Sequence, residues 1–248
     1  MNTLDKHYLS LQFSTAIFKK SGIEFQGFFE SIMEKVFSDF QKIRPYGNKG
    51  DGGNDGYIKT TGTYYQVYAP NEIKTNELEA SKKLKKDFNK LYESGWNEIS
   101  NIKEYNFVFN DKYSGSIQEL EKVISELKTE NPGVEFNLFL AKNLEGVFFE
   151  LEEPDILSLG FNIDKRQAIS NAFNYLEIIK NEIDRENIKY SQKILENVKS
   201  IISSLDDERL TIEYEVLECR CLQQTEKVKE AKENYLSLIS SCSAAYKS

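Results

Sequence analysis

The chain has 248 residues, and 32 Lys and Arg against 40 Asp and Glu give a formal net charge of −8 at pH 7. With 40% hydrophobic and 12% aromatic residues and only four prolines, it can build a sizeable core, which excludes a disordered chain, a collagen-like repeat and a proline-rich spacer. No window approaches the ~18 uninterrupted apolar residues of a membrane span. The opening MNTLDKHYLSLQF lacks a charged stretch followed by a long apolar one, so no signal peptide is expected. Three cysteines, two of them as Cys219-Arg220-Cys221, have neither disulfide-framework nor zinc-knuckle arithmetic, and the expectation is a reducing, cytoplasmic setting with no membrane partner. His7 is the single histidine, so His-rich metal sites are excluded. Any catalysis falls to carboxylates, amides, Lys or Tyr, and a hard, oxygen-bound cation such as Mg²⁺ comes before Zn²⁺.

In chain order, the residues before Ser21 read as a disordered or helical lead-in. From 22 to about 40, Phe25, Phe28, Phe29, Ile32, Met33, Val36 and Phe37 recur at spacings of three and four and predict an amphipathic helix. Ser21 is its expected N-cap, with Glu24 completing a capping box. A short extended piece and a turn-rich loop follow, where Gly47, Gly50, Gly52, Gly53 and Gly56 grant conformational freedom. Residues 56–59 and 63–69 read as two strands of a hairpin turning at Thr60-Thr61-Gly62. Alternation on the second puts Tyr64, Gln66 and Tyr68 on one face and Tyr65, Val67 and Ala69 on the other. A helix is expected from about 75 to 96 with Leu78, Leu84, Phe88 and Leu91 on one face. Then come a buried strand at 104–110, a helix at 116–129, a strand at 134–141 and a short helix over NLEGVFFEL. The order α-β-β-β-α-β-α-β-α implies an α/β fold, a mixed sheet flanked by helices on both faces. After about Pro154 four helices with short connections predict an all-α C-terminal module of two helical hairpins. Its last pair weakly resembles a tetratricopeptide unit. The expected division is therefore 1–153 and 154–248.

The chemistry concentrates in Asp51-Gly-Gly-Asn-Asp55-Gly and in Gln66 on the next strand. An Asp opening one hairpin strand can face an oxygen donor on its neighbour, since paired strands lie ~4.8 Å apart, and two such oxygens can share a divalent ion. Read alone, the turn is equally a tight loop whose Asp and Asn side chains cap amides. It lacks the Glu at position twelve of an EF-hand loop, and no phosphate-binding G-x-x-x-x-G-K-[ST] is present. On the following helix, Ser81 to Lys90 holds five Lys against one Asp, either a solvated face or a phosphate-contacting stripe.

These residues resemble the Mrr-type branch of the PD-(D/E)XK restriction-endonuclease-like superfamily, whose pattern runs G-D-G-G-x-D-G and then Q-x-K. The resemblance covers roughly residues 20–150. It implies a restriction-endonuclease-like domain that cleaves nucleic acid, DNA first, with Mg²⁺ or Mn²⁺ held by Asp55 and Gln66 and with Asp51 as the earlier acid of the turn. Two departures stand out: Tyr68 occupies the Lys position, and Gln26 occupies the place of a helix Glu. Glu30, one turn beyond Gln26, is the candidate replacement acid. Lys86 or Lys82, and also Lys49 or Lys59, are candidate replacement cations, and Lys49, Lys59, Lys82, Lys85 and Tyr68 the expected nucleic-acid contacts. The stretch from Phe25 to Pro70 also looks like proteins of bacterial phage-defence operons, which implies an antiviral role. The alternative implied by the departures is a non-cleaving subunit that senses nucleic acid or assembles with a partner ATPase. The C-terminal helices are expected to hold a second copy or a partner protein.

Overall fold

The computed structural model describes residues 3–44, 52–71, 77–162, 164–225 and 227–245. Two compact units emerge: Ile17–Gly160, and Phe161–Ser248 together with Met1–Ala16.

The first unit is α/β. Helix α1 (Thr3–Lys19) begins in the other unit and ends in this one, and is followed by α2 (Gly22–Val36). Five strands then form one sheet in sequential order: β1 (Phe40–Lys42), β2 (Gly56–Ile58), β3 (Thr63–Tyr68), β4 (Glu104–Phe109) and β5 (Glu135–Leu140). β1, β2 and β3 pair antiparallel, whereas β3, β4 and β5 pair parallel, as the helical crossovers between them require. Those crossovers are α3 (Glu77–Glu93) with the single turn α4 (Trp96–Ile99), and α5 (Gln118–Glu130); α6 (Ala141–Phe148) and α7 (Glu153–Ser158) close the unit.

One sheet face carries Tyr57, Tyr64, Tyr105, Phe107, Phe109 and Phe136, packed under Ala80, Leu84, Phe88 and Leu91 of α3 and Leu120, Ile124 and Leu127 of α5. The other face carries Tyr65, which meets Phe29 of α2 at 5.6 Å between ring centroids. The strand alternation expected for residues 63–69 is therefore realised, and helices lie on both faces.

Of the two readings of the lead-in, the helical one holds: it is α1, with Leu9, Leu11, Phe13 and Ile17 buried. Other local expectations are corrected. Ser21 is the N-cap of α2 by backbone, but its hydroxyl donates to Asn71 at 2.5 Å and forms no capping box. The long helix over 75–96 stops at Glu93, because Gly95 takes a left-handed conformation (φ 84°) before α4. Leu78, expected inside, is exposed, and Ala80 takes the inward position. Pro154 sits in the first turn of α7, where its missing N–H costs nothing.

The second unit contains α8 (Lys165–Asp184), α9 (Ile188–Leu205), α10 (Glu208–Gln223) and α11 (Val228–Ala245). Consecutive helices pack on one another, and α10 also packs on α8. Residues 1–16 join them: Phe13 stacks on Phe161, and Gln12 exchanges hydrogen bonds with the backbone of Asn162. Buried apolar residues of α9 and α10, including Ile194, Val198, Ile202, Leu210 and Leu217, supply the core. Cys219 and Cys221 are buried among them, and burial raises both thiols, that of Cys221 to about 11. Among the described residues no helix is long and apolar enough to cross a membrane.

Candidate functional site

Register places the sheet's polar centre. The antiparallel pairing of Gly56 with Tyr65, carried one step further, sets Asp55 opposite Gln66, and the parallel pairing sets Gln66 beside Phe107. Asp55 N–H donates to Tyr65 O at 2.8 Å, and Ile43 N–H donates to Asp55 O at 2.9 Å. Ile43, Asp55, Gln66, Phe107 and Leu138 thus form one row across the face that α3 and α5 cover.

Within that row the two polar side chains meet. Gln66 Nε2 donates to Asp55 Oδ2 at 2.6 Å, and the backbone N–H of Val67 donates to the same oxygen at 2.7 Å. The carboxylate therefore accepts for β3 where β2 has run out. The amide nitrogen also lies 3.5 Å from the Val67 carbonyl oxygen, so two oxygen acceptors converge on it. Gln66 Oε1 is buried and has no hydrogen-bond partner, an arrangement that costs about 1–3 kcal/mol for a neutral group. Asp55 is 6% exposed and Gln66 2%, so the pair is closed to solvent in this conformation.

The turn before Asp55 is held against α3. Gly53 (φ 84°) approaches so closely that an added Cβ would lie 2.2 Å from Asp87 O and 2.7 Å from Leu91 N. Ser94 Oγ donates to Gly52 O at 3.2 Å. Only glycine suits a left-handed residue in such contact, which is the local reason for the Gly-Gly pair.

The other expected residues are dispersed. Lys49 and Asp51 lie outside the described residues. Gln26 Nε2 donates to Glu30 Oε1 at 2.8 Å on α2, the helix of the opposite face, and the structure does not bring Glu30 to the pair. Tyr68 stacks on Phe107 and Phe109, each at 6.1 Å between centroids. Burial, and secondarily Glu79, raise its phenol, so it is a neutral donor and no base near pH 7. Lys85 is turned to α5, where Glu126 (3.4 Å) and Glu130 (3.2 Å) accept from it, in place of a free phosphate contact. Lys59, Lys82 and Lys86 are exposed. A pair that the spacing did not single out is Lys83 and Asp87, 2.5 Å apart, whose side chains are 35% and 11% exposed. Further along the sheet's end, the Asn110–Tyr113 segment is tied down by its own bonds. Asn110 Nδ2 donates to Ile17 O and Lys20 O, and Asp111 accepts from Gly115 N–H and Ala141 N–H.

Among the described residues no three His, Cys, Asp or Glu side chains form a metal-binding group. The Asp55 carboxylate and the Val67 carbonyl converge on the nitrogen of the Gln66 carboxamide, whose oxygen has no partner, and carboxylate, carbonyl and carboxamide oxygens are the hard donors that Mg²⁺ and Mn²⁺ take. These donor types suit a small divalent cation. In comparisons with known proteins, the chain matches no family model, no curated protein and no solved structure.

Proposed function

We propose that the Ile17–Gly160 unit is a metal-dependent phosphodiester hydrolase acting on nucleic acid, DNA first, in an antiviral setting. The observation that carries this reading is that Asp55 Oδ2 and the Val67 carbonyl both approach the buried Gln66 carboxamide, whose own oxygen has no partner. Asp55, Gln66 and the Val67 carbonyl would hold Mg²⁺ or Mn²⁺. When bound, the cation neutralises phosphoryl oxygens and makes water a better nucleophile. Asp55 supplies the anionic ligand, and Gln66 turns its oxygen inward, which satisfies the acceptor that is otherwise stranded. Tyr68 orients by donation and contributes no charge. The helical unit is assigned to a second copy or a partner protein, since cutting both strands takes two sites.

A second reading, a non-cleaving nuclease-like subunit that senses nucleic acid or assembles with a partner ATPase, is favoured by a specific observation. The pair is closed, and Tyr68 is stacked into the aromatic face at the position where a lysine is expected. Incubating the full chain with supercoiled plasmid and Mg²⁺ or Mn²⁺, beside Asp55→Ala, separates the two. Nicking by the wild type, at least about a hundredfold faster than by the variant, is the expected result for loss of a metal-site group. A wild type that retards DNA in a gel and leaves it intact with both metals would establish the second reading instead.

A further inference from the structure

We propose that Lys83, positioned by Asp87, is the cation of the Asp55–Gln66 site and contacts the non-bridging oxygens of the scissile phosphate. This rests on the hydrolase reading and names the group that Tyr68 cannot replace.

The inference follows from how α3 lies along β3. Phe88 packs on Tyr105 and Phe136, with centroids 5.3 Å and 4.6 Å away, so it is level with the Tyr64 row. Glu79, near the helix start, acts electrostatically on Tyr68 at the far end of the strand. A helix advances 1.5 Å per residue and a strand ~6.6 Å per two residues, so about four helix positions span one sheet row. Leu84 and Lys83 therefore come level with the Asp55–Gln66 row, and Asp87 between that row and the Tyr64 row.

The flank is set independently. Gly53 abuts the backbone at Asp87 and Leu91, so this strip of α3 borders the turn that delivers Asp55. Lys85 faces the opposite flank and is held by Glu126 and Glu130 on α5. Lys82 and Lys86 are exposed. Lys83 alone of these four is locked by a largely buried carboxylate on the turn's side, an arrangement that fixes a flexible ammonium in one place.

A phosphodiester brings a negative charge toward Asp55, and one divalent cation with one carboxylate leaves a net positive charge of only one. A positioned ammonium in a water-poor site contributes to transition-state charge about as an oxyanion-hole donor does, a factor of about 10²–10³ in rate.

Single-turnover plasmid nicking and Mn²⁺ binding, read on the same preparations of the full chain, test this. Lys83→Met strands Asp87, so the double variant Lys83→Met/Asp87→Leu removes the pair without leaving a buried charge, and thermal melting checks folding. The expected result is a rate at least about a hundredfold lower with Mn²⁺ affinity unchanged within about twofold, and substantial recovery in Lys83→Arg. A folded double variant that nicks at the wild-type rate would overturn the role of Lys83 and leave the hydrolase standing. Wild-type protein that neither binds Mn²⁺ nor nicks DNA would overturn both.

Discussion

Asp55 serves two donors with a single oxygen, while the carboxamide opposite it keeps an unused acceptor. In Asp55→Ala, Val67 N–H and the Gln66 amide lose their acceptor, and a stability loss of about 1–3 kcal/mol is expected in urea unfolding. Asp55→Asn differs. Its oxygen still accepts from Val67, and its amide can donate to Gln66 Oε1 once that carboxamide turns. The stranded acceptor is then satisfied, so Asp55→Asn is expected to match or exceed wild-type stability by about 1 kcal/mol while losing the proposed metal site. An Asn variant as unstable as the Ala variant would mean that the charge itself holds the sheet together.

At the scale of elements, the turn bearing Asp55 depends on its contact with α3. Gly53→Ala forces a Cβ into Asp87 O and Leu91 N at a left-handed residue, and a loss of about 1–3 kcal/mol is expected, read as a lowered melting temperature. In the helical unit, Asp207 caps α10 by accepting from Leu210 N–H at 3.0 Å. That bond, with Arg209 nearby, lowers its carboxyl below the usual value. A lowered folded-state pKa contributes stability that is full above the unfolded value of 3.8 and fades as pH falls through the folded one. Asp207→Ala is therefore expected to cost about 1 kcal/mol at pH 7, with the difference from wild type shrinking below about pH 4 in denaturant melts. Much of this scaffold was legible beforehand. The aromatic alternation of residues 63–68 announced both the strand and the side Gln66 takes. Helix α1 was not legible: Tyr8, Leu9, Leu11, Gln12, Phe13, Thr15 and Ile17 are buried around its circumference, which erases the amphipathic period. Nor was the role of Lys83, because four neighbouring lysines on one helix look alike until the fold decides which strip meets the Gly53 turn. Glu30 was a fair inference from helical spacing, and only the packing of Phe29 on Tyr65 reveals that its helix covers the other face.

For the molecule as a whole, a net charge of −8 opposes a polyanion at long range, so any nucleic-acid contact must be local and sensitive to salt. Residues 1–16 belong with the C-terminal helices, so a cut at 160 leaves the helical unit without the Phe13–Phe161 stack and the Gln12–Asn162 bonds. Experiments on function belong on the intact chain for that reason. The most direct is a titration of the full chain with Mn²⁺, followed by electron paramagnetic resonance, beside Asp55→Asn and Gln66→Leu. One tightly held ion in the wild type, lost in Asp55→Asn and weakened in Gln66→Leu while both variants stay folded, is the expected result. Equal Mn²⁺ uptake by all three proteins, or none by the wild type, would contradict a divalent-cation site at Asp55 and Gln66.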